Sequence, residues 1–172
     1  DGDLEVDPFK EWNRISVAEA CREYAGFDLE STLPDEPTLE PDPKPLAKVA
    51  ENMGIRVSSD DRWDDIYFRI AFEKIEPNLG RGVPTILYDY PVCMAALSRK
   101  KPTDPRFAER FEVYVGDTEL GNAISELTDA AEQRRRFEYD MDLKEKLYGE
   151  RYPIDDDFIN AVAAMPEAAG IA

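Results

Sequence analysis

Acidic and amide side chains recur along a stretch of the chain that otherwise has the pattern of a β-hairpin. The stretch runs from Arg110 to Ala130, and Gly116-Asp117-Thr118 supplies its turn. No lysine or arginine lies between Arg110 and Arg134, so these carboxylates have no counter-charge nearby in the sequence. Carboxylates gathered in this way favour a cation, and we expect the hairpin to bind a metal ion, an ammonium group, or both. The side chains concerned are Glu112, Glu119, Asn122 and Glu126.

The spacing of these side chains predicts how a hairpin would present them. Glu112 and Glu119 flank the turn as near cross-strand neighbours, and two like charges in that arrangement destabilise a sheet unless a cation bridges them. Asn122 and Glu126 share one face of the return strand, whereas Glu119 has the opposite parity. A β-bulge near Gly121 would bring all of them together. Such a sheet floor would suit a nucleoside triphosphate with Mg²⁺ and a cationic substrate; the alternative is an exposed acidic hairpin without a ligand.

Composition excludes several kinds of chemistry. The 172 residues fit one domain and contain no histidine, which leaves carboxylates, arginine, lysine, hydroxyls and hard cations such as Mg²⁺. A formal net charge of −17 argues against this segment binding nucleic acid by itself, because phosphate contacts depend on lysine and arginine. Cys21 and Cys93 fit no CxxC pattern and no apolar run is long enough to span a membrane. We therefore expect a reduced, cytoplasmic setting.

Helical patterns dominate the first 80 residues. Ser16 to Tyr24 reads as a short helix in which Ser16 and Glu19 form a capping box. Residues 28–45 are acidic and rich in proline, which predicts a loop. Two further helices are predicted over residues 46–53 and, with apolar residues at helical spacing, 60–76.

The second half alternates strands and helices. Residues 83–88 predict a buried strand, and the alternation in the hairpin predicts an inward face of Phe111, Val113 and Val115. Residues 130–148 predict a long helix capped by Asp129, and its aromatic stripe predicts core packing by Phe137, Met141 and Tyr148. A last helix follows Asp155. Helices dispersed around antiparallel strands indicate an α+β fold in which an antiparallel sheet has flanking helices.

The stretch from Pro84 to Ala172 resembles part of the class II lysyl-tRNA synthetase catalytic domain. Within that family it resembles most the bacterial paralogue that ligates lysine or β-lysine onto elongation factor P. The motifs RFE…ELxN…SELTDAxEQ and MPEAAGIA carry the resemblance. It implies a partial class II synthetase-like domain over residues 1–172, with a variable helical region at 1–80 and the substrate-carrying sheet and helices at 81–172. Because the signature arginines of the second and third motifs are absent, we expect the isolated chain to be inactive. Class II relatives usually pair through their first motif, and we expect the parent protein to be a homodimer.

The resemblance also implies roles for individual residues. Glu112 and Glu119 fall on positions that hold Mg²⁺ against the phosphates of ATP. Asn122 falls on a position that contacts lysine, and Glu126 on the position that binds its side-chain ammonium. Two further positions line the substrate but depart from the synthetase pattern: Ile124 and Ala172.

The acceptor of the activated lysine is a separate question. Ala95-Ala96, Thr128 and Ala172 stand where the resemblance to the protein ligase is greater than that to the tRNA enzymes. They favour ATP-dependent activation of lysine or β-lysine as an adenylate, followed by transfer to a lysine of elongation factor P. Two alternatives stay open: a lysyl-tRNA synthetase, whose acceptor is tRNA, and a non-catalytic amino-acid-binding module of the same fold.

Overall fold

The computed structural model describes residues 5–172, which contain a five-stranded sheet with helices packed around it. The strands lie in chain order across the sheet, and ladder hydrogen bonds join each to the next. Their bounds are β1 Asn13–Ser16, β2 Thr85–Pro91, β3 Phe107–Val115, β4 Thr118–Ser125 and β5 Ala169–Ile171. The helices are α1 Val17–Ala20, α2 Lys44–Asn52, α3 Trp63–Ile70, α4 Ala130–Tyr148 and α5 Asp156–Ala164. The predicted α+β class is confirmed.

One strand pair departs from the antiparallel sheet that the sequence predicted. β1 runs parallel to β2, with Asn13 opposite Thr85, while the other three pairs are antiparallel. The sheet is therefore mixed. β1 lies in a segment that local patterns did not predict as a strand, because only its pairing with β2, far along the chain, makes it one.

The predicted helix ends are confirmed where a side chain caps them. The Ser16 backbone N–H donates to Glu19 at 2.9 Å and the Glu19 N–H donates to the Ser16 hydroxyl at 3.2 Å, which completes the predicted capping box. Asp129 and Asp155 cap α4 and α5 through their carboxylates. Beyond α1 the chain continues as a π-helical turn, Cys21–Ala25.

The apolar core lies under α3, which occupies the middle of the predicted helix at residues 60–76. A π-helical turn, Ala71–Ile75, extends this helix. Trp63 stacks on Tyr67 with ring centroids 5.6 Å apart. The helix buries four large side chains in the core: Trp63, Ile66, Tyr67 and Ile70.

The predicted inward face of β3 is wrong. Phe111 is 36% exposed, whereas Glu112 and Tyr114 are each 7% exposed. The face that carries Glu112 and Tyr114 packs towards Tyr67 and the core, and hydrogen bonds described below make burial of the carboxylate possible. Strand alternation gives two faces but does not say which one is covered.

The predicted inward stripe of α4 is also wrong in part. The two fully buried residues of this helix are polar, Gln133 and Arg136, while Tyr148 is 73% exposed. Phe137 packs against Phe158 of α5, with ring centroids 5.7 Å apart. Within residues 5–172, no helix is both long and apolar enough to cross a membrane.

Candidate functional site

A β-bulge in the β3–β4 hairpin sets the arrangement of the acidic side chains. Glu112 lies opposite Asn122, but Tyr114 lies opposite Glu119, and the register shifts between these two pairs. The extra residue is Leu120, which is exposed. Opposite residues project from the same face of an antiparallel pair, so the bulge places Glu119 on the face of Glu112 and Asn122. The bulge predicted near Gly121 is confirmed, although the direct partner of Glu112 is Asn122 and not Glu119.

Three donors hold the buried Glu112 carboxylate. The Tyr90 and Tyr114 hydroxyls donate to Oε2 at 2.5 and 2.6 Å, and Arg110 Nη2 donates to Oε1 at 2.7 Å. Arg110 also lies over the Tyr90 ring, with its guanidinium carbon 4.6 Å from the centroid. A carboxylate offers about four lone-pair positions, so Glu112 is firmly oriented and keeps room for a further partner.

Tyr90 reaches Glu112 across an irregularity in the β2–β3 ladder. The register shifts between Tyr88 and Tyr90, where β2 advances two residues and β3 advances three, from Phe111 to Ala108, and Asp89 has a φ of +59°. In a regular strand, Tyr90 would project from the opposite face to Leu87, which pairs with Glu112. An ion pair between Asp89 and Lys101 anchors this left-handed residue.

The negative charge of Glu112 acts on the neighbouring carboxylates. Burial, followed by the charge on Glu112, raises the pKa of Glu119, and the same two causes in the same order raise the pKa of Glu76. Among the described residues, no group of three or more acidic or cysteine side chains is placed to enclose a metal ion. A metal here would have to share its coordination between these carboxylates and ligand oxygens, which is how Mg²⁺ is usually bound beside phosphates.

Beside this acidic region lies a cleft of about 460 Å³ between the hairpin and the segment that follows β2. All four predicted substrate-contacting residues line it: Asn122, Ile124, Glu126 and Ala172. Arg110 lines it as well and thereby joins the cleft to Glu112. The structure therefore brings the predicted residues together on one surface.

The floor of the cleft is completed by β5. Asn122 and Ala172 exchange backbone hydrogen bonds of 2.9 and 2.8 Å. Gly170 lies under the Glu126 carboxylate, and a Cβ at this position would come within 2.5 Å of Glu126 Oε1. Glycine therefore leaves the space that this carboxylate occupies. Within residues 5–172, no lysine or arginine nitrogen lies within 4.0 Å of the Glu126 carboxylate.

Comparison with known proteins places this chain in a family. The sequence profile of the family described as "tRNA synthetases class II (D, K and N)" matches residues 3–172. The chain belongs to this class II synthetase family. The family predicted from the hairpin motifs is thus confirmed.

Several curated relatives within this class II family are lysine–tRNA ligases. That of Dehalococcoides mccartyi (strain CBDB1) is 36% identical over 172 residues, which cover 99% of this chain and 32% of the relative. The Staphylococcus saprophyticus protein is 34% identical over the same length and shares. The Thermoanaerobacter pseudethanolicus protein is 30% identical over 168 residues, 97% of this chain and 32% of the relative. The chain spans about a third of the length of these relatives.

The basic run Arg99-Lys100-Lys101 is neutralised by acidic residues of the same class II domain. Arg99 pairs with Glu109 at 2.8 Å and Lys100 with Glu132 at 2.9 Å, while Lys101 pairs with Asp89. Because their charges are already compensated, these three residues do not form an open cationic patch.

Sequence reasoning missed the residues that orient Glu112 and the cleft. Tyr90 lies beyond the strand predicted over residues 83–88, Tyr114 was treated as an ordinary strand residue, and Arg110 only as the start of the hairpin. Arg136, which is fully buried, lies in a run of three arginines that resembles a solvated helix face. A signal was available for Arg110, since it is the nearest cation in the sequence to an otherwise unpaired acidic hairpin.

Proposed function

We propose that the protein activates lysine with ATP to form lysyl-adenylate and then transfers the lysyl group to tRNA. The observation that carries this proposal is the cleft lined by Asn122, Ile124 and Glu126, next to Glu112 and Glu119 on the same face of the hairpin. The lysine–tRNA ligase relatives support both the substrate and the acceptor. In this proposal residues 81–172 carry the substrate site, and residues 1–80 form the variable helical region.

Glu126 takes the side-chain ammonium of lysine in this proposal. Its carboxylate faces the cleft without a basic partner among residues 5–172, and a desolvated ammonium needs such a charge. Ile124 offers an apolar surface to the aliphatic stem, and Asn122 offers an amide between that stem and the acidic region. Ala172 closes the cleft beside Asn122.

Glu112 and Glu119 would hold Mg²⁺ beside the phosphates of ATP. Their shared face, and the raised pKa of Glu119 beside a second carboxylate, fit a site that requires a cation. The metal ion would neutralise phosphate charge. A lysine carboxylate oxygen then attacks the α-phosphorus, pyrophosphate leaves, and the acceptor hydroxyl later displaces AMP from the lysyl carbonyl. The protein contributes orientation, because the cleft holds the nucleophile next to the acidic region.

A second acceptor, a lysine of elongation factor P, is favoured by three of the cleft residues. Ala95, Ala96 and Ala172 stand where the sequence resembles the protein ligase, and all three line the cleft. The relatives weigh on the side of tRNA, and we therefore rank the protein acceptor second. The choice between α-lysine and β-lysine as the substrate belongs with this choice of acceptor.

Calorimetric titration with a non-hydrolysable lysyl-adenylate analogue tests the site. We expect Mg²⁺-dependent binding that Glu126→Gln weakens roughly 10- to 100-fold, because the mutation removes a charge-assisted hydrogen bond. Glu138→Gln, which makes the same chemical change at an exposed position on α4, should leave the affinity unchanged. Equal affinities for the wild type and Glu126→Gln would contradict the proposed role of Glu126. Binding of lysine alone, with no effect of Mg²⁺ or ATP, would favour a non-catalytic binding module.

Transfer of radiolabelled lysine identifies the acceptor. The intact protein is incubated with ATP, Mg²⁺ and either tRNA or elongation factor P, and acid-precipitable label is counted. Label on tRNA alone supports the tRNA ligase, and label on the protein alone replaces it with the second candidate.

A further inference from the structure

Arg136 of α4 is completely buried, and one of its guanidinium nitrogens donates to backbone carbonyls beside the cleft. Its Nη1 donates to the carbonyl oxygens of Ala95, Ala96 and Ser98 at 3.0, 3.1 and 3.0 Å. These residues belong to the segment that forms one side of the cleft, here called the wall segment and defined as residues 95–98. A buried arginine that joins a helix to three carbonyls is a costly arrangement, so it points to a positional role.

A second charge on α4 anchors the arginine. Arg136 Nε donates to Glu132 Oε1 at 3.0 Å, and the same oxygen lies 2.9 Å from Lys100 Nζ, just beyond the wall segment. Burial alone would raise the pKa of Glu132, but hydrogen bonds from Lys100 and Arg136 outweigh it and lower the pKa. Glu132 therefore stays ionised at neutral pH and holds both basic side chains.

The other backbone hydrogen bonds of the wall segment do not involve α4. The Leu127 N–H donates to the Leu97 carbonyl and the Arg99 N–H donates to the Ser125 carbonyl, at 2.9 and 2.8 Å, which tie the end of the segment to the hairpin. The Ser98 N–H donates to the Ala95 carbonyl at 3.0 Å. Among the described residues, the carbonyls of Ala96 and Ser98 have Arg136 as their hydrogen-bond donor.

We propose that Arg136 is a positioning residue that sets the distance between the wall segment and the cleft floor, and through it the length of amino-acid side chain that the cleft accepts. It does not itself line the cleft. The inference rests on the proposed function, because it assigns a specificity effect to the same lysine site. Without the guanidinium, buried carbonyls lose their donor, and the wall segment has to shift or admit water.

Discrimination between lysine and ornithine, which is one methylene shorter, tests this. Dissociation constants of both amino acids are measured by calorimetry on the intact protein with Mg²⁺ and a non-hydrolysable ATP analogue. Arg136→Met keeps the bulk and removes the donors, and we expect the ratio of the two constants to fall roughly tenfold. Arg136→Lys keeps the charge and some donors and should recover part of that ratio. If the methionine variant does not fold, the lysine variant supplies the comparison, with a smaller fall.

The matched control is Arg134→Met on the same helix. Arg134 is an exposed residue that pairs with Asp156 and does not reach the wall segment, so the ratio should not change. Hydrogen exchange of the Ala95 and Ser98 amides, which donate to the Val92 and Ala95 carbonyls at 3.2 and 3.0 Å, should be faster in both Arg136 variants and unchanged in the control.

Four results would overturn the inference. If lysine and ornithine weaken by the same factor in the Arg136 variants, the residue acts on overall stability and not on specificity. If exchange at Ala95 and Ser98 is unchanged, Arg136 does not hold the wall segment. If the wild-type protein binds neither amino acid, the proposed function fails and the inference fails with it, whereas binding that Arg136 does not affect overturns the inference alone.

Discussion

Two helices are held in this fold by opposite means. α3 buries an apolar stripe that includes Trp63 and Tyr67, whereas α4 buries Gln133 and Arg136. Burial of an apolar side chain contributes about 1.5–3 kcal/mol and is non-directional, while a hydrogen bond contributes about 1 kcal/mol and specifies geometry. The fold therefore depends chiefly on α3, and the position of the cleft wall depends on α4.

The comparison explains why a buried arginine is retained beside a binding cleft. An apolar helix face would hold the wall segment with similar strength but would not specify where its carbonyls lie. Arg136 meets three of them within 3.1 Å, which leaves the wall little freedom. A binding site gains from that restriction, because its ligand contacts must be fixed in advance.

Removal of Trp63 should produce the largest effect. Trp63→Ala removes the stacking on Tyr67 and a hydrogen bond of 3.3 Å to the Thr32 carbonyl, and it leaves a cavity in the core. We expect the free energy of unfolding in urea to fall by about 3–5 kcal/mol. Phe72→Ala, at a position that is 73% exposed, is the control and should change it by less than about 0.5 kcal/mol. A loss of less than about 1 kcal/mol for Trp63→Ala would contradict the conclusion that the fold depends chiefly on α3.

Neutralisation of Glu132 should have the next largest effect. Glu132→Gln leaves the buried Arg136 without its anionic partner, and we expect a loss of about 2 kcal/mol at pH 7. The folded-state pKa of Glu132 is lowered, so its contribution is present above the ordinary value of 4.5 and is lost as the pH falls below it. Unfolding measured from pH 7 to pH 3 should show the two proteins converging. If the two proteins differ equally in stability at pH 7 and at pH 3, the charge of Glu132 is not the cause of the difference.

The ion pair in front of α3 should matter less. Hydrogen bonds from Arg69 and from the Ser58 N–H lower the pKa of Asp61 to about 2. Asp61→Asn should lower the melting temperature at pH 7 by no more than a few degrees, because Arg69 is partly exposed. Since the folded-state pKa lies below the ordinary 3.8, the difference should disappear between about pH 4 and pH 2. Asp60→Asn, next in sequence and exposed, is the control.

Gln133 should show the smallest effect, although it is as buried as Arg136. Its Nε2 has no hydrogen-bond partner among the described residues. Gln133→Leu removes an unsatisfied donor, so we expect the free energy of unfolding to change by less than about 1 kcal/mol and to rise slightly. A larger loss in urea unfolding would show that buried polar groups on α4 act together and that Arg136 does not have a separate role.

Part of the candidate site was predictable from the hairpin alone. The turn at Gly116-Asp117 and the parity of the acidic residues led to a bulge, which the structure contains at Leu120. The same reasoning failed on the burial of β3, because alternation is equally compatible with either face being covered. It also missed Tyr90, whose orientation depends on the backbone of Asp89, one residue earlier.

The sequence by itself determined the features that depend on neighbouring residues. These are the helix caps at Ser16 and Asp129, the hairpin turn and the family motifs, since each involves contacts across only a few positions. Only the tertiary structure decided which face of β3 is buried and what Arg136 holds, because these depend on contacts between distant segments. Arg136 lies 41 residues from Ala95, and no local pattern encodes a contact at that separation.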